Sequence, residues 1–262
     1  MINLCPTSLD SRAVASHVSR GRYRLVVLVL SAMLAAGCAT LEKSGDSAEM
    51  SGSENDPFEN FNRSVWRFNE KLDKVVLRPL ARGYRKAVPR PARNRVTNFF
   101  GNLSEPKTIV NNLLQGKVGL AYQDAWRFLI NTTIGVVGLF DVAGRAGLVK
   151  HAEDFGQTLA VWGVKDGPYL VLPLFGPSNV RDGIGRIPDS YLDSISYIDD
   201  SGAQIVLRAL SIIDGRARLL RVSRLLAMQL DPYLFLRESY RQQRRKAIFD
   251  GADSGALESR IE

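Results

Sequence analysis

Cysteine and histidine are nearly absent from this 262-residue chain, which has only Cys5, Cys38, His17 and His151. Residues 1–37 read as a leader, as argued below, and setting them aside leaves one residue of each type. That excludes an internal disulfide framework, a CxxC redox centre, a cysteine-rich zinc site and a poly-histidine metal site. The G-x-S-x-G elbow, H-E-x-x-H and the P-loop are missing too, and Asp182-Gly-Ile-Gly185 is only a fragment of a phosphate-binding pattern. No catalytic residue, metal or cofactor is expected. The most tempting polar cluster, His151-Ala-Glu-Asp154, reads more readily as a polar loop or helix cap than as a catalytic site. Long apolar runs are also lacking: the longest near the N-terminus, Leu25 to Ala36, falls short of the roughly 20 residues that span a bilayer. Charge of one sign is not in large excess. The net +8 falls to +5 once the leader's four arginines and Asp10 are removed, and no zinc, RRM or bZIP signature points to nucleic acid.

What is present begins with an address. Arg20, Arg22 and Arg24 precede the apolar run, and Gly37-Cys38 follows it, which are the three parts of an export signal. Leu34-Ala35-Ala36-Gly37-Cys38 resembles a bacterial lipobox with Ala35 where Leu is commonest, so Cys38 is the expected lipidation site. Each buried methylene contributes about 0.8 kcal/mol and one chain attaches only reversibly, whereas several acyl chains hold durably. Ala39 after the cysteine implies outer-membrane sorting. Residues 39–55 are small and polar apart from Leu41 and Met50, too poor in apolar surface to offset ordering entropy, and read as a tether.

Order is expected from Asp56, with Pro57 in the first turn and Glu59 completing a capping box. Phe58, Phe61, Val65, Phe68, Leu72 and Val75 follow at 3,4,3,4,3 spacing, one stripe of a helix that suits a protein core or lipid equally. Prolines 79, 89, 91 and 106 should divide the next stretch into short helices, one carrying Val96, Phe99, Phe100 and Leu103, the next Ile109, Val110, Leu113 and Leu114. Ile205, Val206, Leu210 and Ile213 and then Leu219, Leu220, Leu225 and Leu226 repeat the helical pattern. A last helix should start at Asp231-Pro232 and end in Arg237, Arg241, Arg244, Arg245 and Lys246, more simply a solvated face than a site for acidic lipid headgroups or an acidic partner. The chain is therefore expected to be mainly α, built of many short amphipathic helices. Two segments carry no charge: Phe128 to Phe140 and Gly167 to Val180. The first is consistent with a buried helix or strand. The second, interrupted by Gly167, Pro168, Pro173, Gly176 and Pro177, suggests an apolar loop or hairpin.

DPFENFNRSVWRFNEKLD (56–73), PARNRVTNFFGNLSEPKTIVNNLLQG (91–116), FLINTTIGVVGLFDVAG (128–144), EDFGQTLAVWGVKDGPYLVLPLFGPSNVRD (153–182) and DPYLFLRESY (231–240), in this order, resemble the MlaA (VacJ) family of outer-membrane lipoproteins. The resemblance implies a ring-like, single-domain helical body over 56–250, after a leader (1–37) and tether (38–55) and before a disordered tail (251–262). It also implies a seat in the periplasmic leaflet of the outer membrane beside a trimeric porin. Phospholipid misplaced in the outer leaflet would leave through an amphipathic channel to a soluble periplasmic lipid carrier of an MCE-type system. Gly163 to Val180 would be the family's mobile hairpin at that channel, with Gly163, Gly167 and Gly176 as hinges and Tyr169, Leu170, Val171, Leu172, Leu174 and Phe175 as its greasy surface. The rival expectation is a structural lipoprotein that scaffolds porins or the envelope and carries no lipid; a phospholipase centred on His151, Glu153 and Asp154 ranks third.

Overall fold

The computed structural model describes residues 56–250, which form helices and a single two-stranded hairpin and belong to one compact unit, Ser53–Glu262. The leader, Cys38, the tether and the tail from Gly251 lie outside the described residues. The mainly α expectation holds. The first helix starts later than expected: Asp56, Pro57 and Phe58 precede α1 (Glu59–Leu72), and no capping box forms. The Asp56 carboxylate instead accepts from Phe58 N–H at 3.2 Å and Asn62 Nδ2 at 2.9 Å, while Glu59 turns outward to Arg63 at 2.7 Å.

Pro79 does not break the chain. α1 continues through a π-helical segment, Asp73–Leu77, into α2 (Arg78–Ala87), and Arg78 N–H reaches back five residues to the Asp73 carbonyl. Proline lacks a donor and crowds the carbonyl four residues before it, so the widened π turn just ahead of Pro79 absorbs what would otherwise be a kink. Pro89 does end α2, because Val88 before it is forced extended. α3 (Arg90–Leu103), α4 (Glu105–Leu114) and α5 (Val118–Thr133) follow, the first two with Pro91 and Pro106 in their opening turns. Next come short α6 (Val142–Arg145), α7 (Phe155–Val161), strands β1 (Tyr169–Leu172) and β2 (Gly176–Asn179), and α8 (Val180–Tyr191). A 3-10 turn, Ser194–Tyr197, precedes α9 (Ser201–Arg218), α10 (Val222–Ala227) and α11 (Pro232–Ile248). α11 opens as expected, the Asp231 carboxylate accepting from the N–H groups of Tyr233 and Leu234.

The distribution of polarity is inverted. Among the described residues, 19 polar or charged residues are buried against eight hydrophobic ones, four of which are alanines, while 36 large hydrophobics are exposed. The stripe on and beside α1 shows this directly: Phe58, Phe61, Phe68 and Val75 face outward, and the fully buried residue of that helix is Asn62. The charge-free 128–140 segment is likewise no core element. It finishes α5 and continues as a loop in which Ile134, Val136 and Val137 are exposed, the two valines at φ 53° and 55°. Scattered apolar exposure is ordinary, but exposure on this scale calls for apolar surroundings. Among the described residues the buried hydrophobic cluster is small: Tyr169, Val171 and Tyr233, packed by Val65, Trp66, Leu234 and Tyr240 where α1, β1 and α11 meet.

Candidate functional site

The hairpin grows out of that cluster. α7 ends at Val161 with Trp162 as its cap, Gly163 follows at φ +87°, the left-handed conformation that closes a helix, and Gly167 at +66° turns the chain into β1. The strands pair antiparallel, Tyr169 with Asn179, Leu170 with Ser178, Val171 with Pro177 and Leu172 with Gly176, around a three-residue tip of Pro173, Leu174 and Phe175. Leu174 has φ 68° and Gly176 +80°. A hairpin was expected here, but not all of its apolar residues form its surface. Tyr169 and Val171 are buried, Leu170 and Leu172 half-buried, and only Leu174 and Phe175 are fully presented, at 69% and 67% exposure. Strand alternation explains the split: residues 169 and 171 point toward Tyr233, and the tip projects beyond it.

Two asparagines of α1 hold the free edge of β1. Asn62 Nδ2 donates to the Tyr169 carbonyl at 3.0 Å, and its Oδ1 accepts the Val171 N–H at 2.8 Å. Seven residues on, Asn69 Nδ2 donates to the Leu172 carbonyl at 2.9 Å and its Oδ1 accepts the Leu174 N–H at 2.9 Å. Asn62 thus supplies one donor and one acceptor to the strand, as a third strand would, and Asn69 does the same across the junction of β1 and the tip. The Asn69 contact also fixes Leu174 in a conformation that costs a non-glycine residue about 1–3 kcal/mol. Neither asparagine is evident from the apolar pattern; their only signature in sequence is a seven-residue spacing off the stripe.

Below the hairpin lies an ion cluster. Arg244 donates to both oxygens of Asp154 at 2.6 Å and to Asp182 at 2.9 Å, and Arg181 Nε reaches Asp182 at 3.0 Å. Asp154 is held down to about 2: burial pushes the carboxyl up, and the Arg244 hydrogen bonds outweigh it. The cationic end of α11 is therefore not simply a solvated face, since Arg237 is buried beside Asp56 and Arg244 is committed to two carboxylates. α7 and α8 cross here at glycines: a Cβ on Gly185 would sit 2.6 Å from the Gly156 amide nitrogen, and one on Gly156 2.6 Å from an Asp182 oxygen.

The rest of the interior holds two further polar groups. Asn112 and His151 bond opposite oxygens of Asp124 at 2.8 and 2.9 Å; Gln115 links Glu153 at 2.9 Å to Thr158 at 3.3 Å; Thr158 donates to Asn111 at 2.8 Å; and Asn111 donates to Asp189 at 3.2 Å. Glu105, with Arg127 and Lys150 each 3.7 Å away, is raised above the ordinary carboxylate range by burial. His151, Glu153 and Asp154 are neighbours in sequence but serve three separate contacts: Asp124, Gln115 with Lys117, and the α7 cap with Arg244. No group of three or more His, Cys, Asp or Glu among the described residues is placed to hold a metal ion, and none of the described helices is long and apolar enough to cross a membrane.

Residues 54–247 match the family model described as MlaA lipoprotein. The chain is 38% identical over 236 residues to the Escherichia coli intermembrane phospholipid transport system lipoprotein MlaA, covering 88% of this chain and 91% of that protein. It is 41% identical over 195 residues to an uncharacterized protein of Rickettsia bellii, covering 74% and 76%. A solved structure described as the structural basis for maintenance of bacterial outer membrane lipid asymmetry is 38% identical, with a TM-score of 0.67, and matches 74% of this chain and all of its own.

Proposed function

The chain belongs to the MlaA lipoprotein family, and from that premise we propose that it withdraws phospholipid mislocalised to the outer leaflet of the outer membrane and passes it to a soluble periplasmic carrier. The observation that carries this reading is the inverted polarity: a buried network running from Asp124 through Asn112, and from Glu153 to Asp189, inside an exterior of exposed Phe, Leu, Ile and Val. A phospholipid has an anionic headgroup and two apolar tails. Its passage needs polar groups with bonding capacity to spare for a headgroup, as the buried and unpartnered Asn112 Oδ1 and Gln115 Oε1 have, and an outer surface compatible with acyl chains.

Cys38 would anchor the body through its acyl chains, with residues 38–55 as tether, in the periplasmic leaflet. The 163–180 hairpin would line or gate the passage, its fixed base at Tyr169 and Val171 and its working surface at Leu174 and Phe175. Gly163, Gly167 and Gly176, all at positive φ, would be the points about which it turns. A trimeric porin would seat the body, and a carrier of the MCE-type system would receive the lipid. With no nucleotide-binding motif in the chain, net direction would come from those partners or from the lipid gradient.

The test is the phospholipid exposed in the outer leaflet of cells lacking the gene, with and without a wild-type copy. A rise that the copy reverses supports the reading. No rise at confirmed loss of the protein overturns it in favour of a porin scaffold.

A further inference from the structure

A cleft of about 440 Å³ opens between α3 and the α6 turn, lined by Asn94, Arg95, Thr97, Asn98, Asp141, Gly144 and Arg145. Asn94 and Asn98, one turn apart, share a face of α3, with Arg95 to one side of it, over Phe140, and Thr97 to the other, on Asp214. The charge balance there is uneven. Asp141 is already engaged by Arg127 at 3.1 Å, Asn131 at 3.0 Å and the Gly144 N–H at 2.9 Å, and Asp214, which accepts from Thr97 at 2.8 Å, has Arg218 at 3.4 Å. Arg95 and Arg145 make no ion pair with any described residue, leaving the cleft with two uncompensated guanidinium groups. Arg95 is held in place: its guanidinium carbon sits 4.1 Å over the Phe140 ring. That ring belongs to the loop that exposes Ile134, Val136 and Val137 and is tied to α3 by Asn98 Nδ2 on the Leu139 carbonyl at 3.3 Å.

We propose that this cleft binds the phosphate of a phospholipid headgroup between Arg95 and Arg145, with the acyl chains laid on the exposed Ile134, Val136 and Val137. The volume fits a headgroup and not its tails, and a planar guanidinium fork matches phosphate oxygens bidentately. The choice of a lipid over free phosphate rests on the lipid-withdrawal reading above; the shared chemistry is a phosphate anion.

The test uses the mature full-length lipoprotein in neutral detergent with a nitroxide on Ala146→Cys, an exposed position next to Arg145, and the ascorbate-reduced label as the diamagnetic reference. The label should broaden the phosphorus resonance of dihexanoyl phosphatidylglycerol. Affinity should fall about tenfold or more in Arg95→Gln/Arg145→Gln, the loss expected for one or two charge-assisted contacts. Arg145→Glu, a single change at an exposed residue, reads the same loss without depending on the fold of the double variant. Broadening of inorganic phosphate but not of the lipid, or lipid affinity unchanged in both variants, overturns the assignment. The two readings fail separately: no broadening of lipid by a protein that still clears the outer leaflet in cells sinks the cleft alone, whereas absence of outer-leaflet lipid in the gene's deletion sinks the transport reading.

Discussion

Replacing Asn62 by alanine should cost far more than the same change at Asn69. The side chain is fully buried and makes three hydrogen bonds, to Asp56 at 2.9 Å, to the Tyr169 carbonyl at 3.0 Å and from the Val171 N–H at 2.8 Å. Alanine leaves the Tyr169 carbonyl and the Val171 N–H without partners, and each buried orphan costs about 1–3 kcal/mol. The total of about 2–6 kcal/mol is a large share of the roughly 5–15 kcal/mol that holds an ordinary domain together. Asn69→Ala removes two bonds at a half-buried edge where water can replace the amide, so its cost should be near 1 kcal/mol. Urea unfolding in neutral detergent gives both values, and amide exchange at Val171 locates the effect. Equal losses in the two variants, or unchanged protection of the Val171 amide in Asn62→Ala, would refute the argument that these carboxamides act as the missing strand.

Alanine at Gly185 should destabilise by about 1–3 kcal/mol in a thermal scan, because its Cβ meets backbone at 2.6 Å and the helices must part. Acid should release the Arg244 cluster. Asp154 has its folded value lowered from 3.8 to about 2, so its stabilisation of about 2 kcal/mol is complete above about pH 4 and disappears as pH falls through about 2. Arg244→Gln should flatten that limb of the stability-versus-pH curve; an unchanged limb would mean that Arg244 does not set the Asp154 value. At the hairpin tip, Leu174→Asp and Phe175→Asp should impair outer-leaflet lipid removal at wild-type abundance and melting temperature, whereas Val171→Asp should lower abundance by burying a charge. Normal removal in the two tip variants would take the tip out of the passage.

Much of this architecture was legible in sequence, and the gaps have physical causes. Spacing of apolar residues located α1, α3, α4 and α9, and Asp231-Pro232 marked the start of α11, because helix periodicity and capping are local. The hairpin was legible from Gly and Pro in a charge-free run. Periodicity reports which face is apolar but not what that face meets, so Phe61 and Phe68 gave no sign that they would be exposed over a buried Asn62. The pairings of Asn62 with Tyr169 and of Arg244 with Asp154 join residues 107 and 90 positions apart, beyond the reach of any local pattern. Pro79 misled for a different reason: a proline demands a disturbance in the helix, and the chain met that demand with a π turn instead of a break.

The amide clamp has a consequence for how the molecule behaves among copies of itself. A two-stranded hairpin has two open edges, each a template on which another chain can add a strand, and this one sits amid exposed apolar surface that would favour such an encounter. Asn62 and Asn69 occupy the β1 edge from within, and Pro177 takes a donor out of β2. The residues that seat the hairpin therefore also close it to intermolecular pairing, and a variant that loses them exposes a strand edge prone to aggregation.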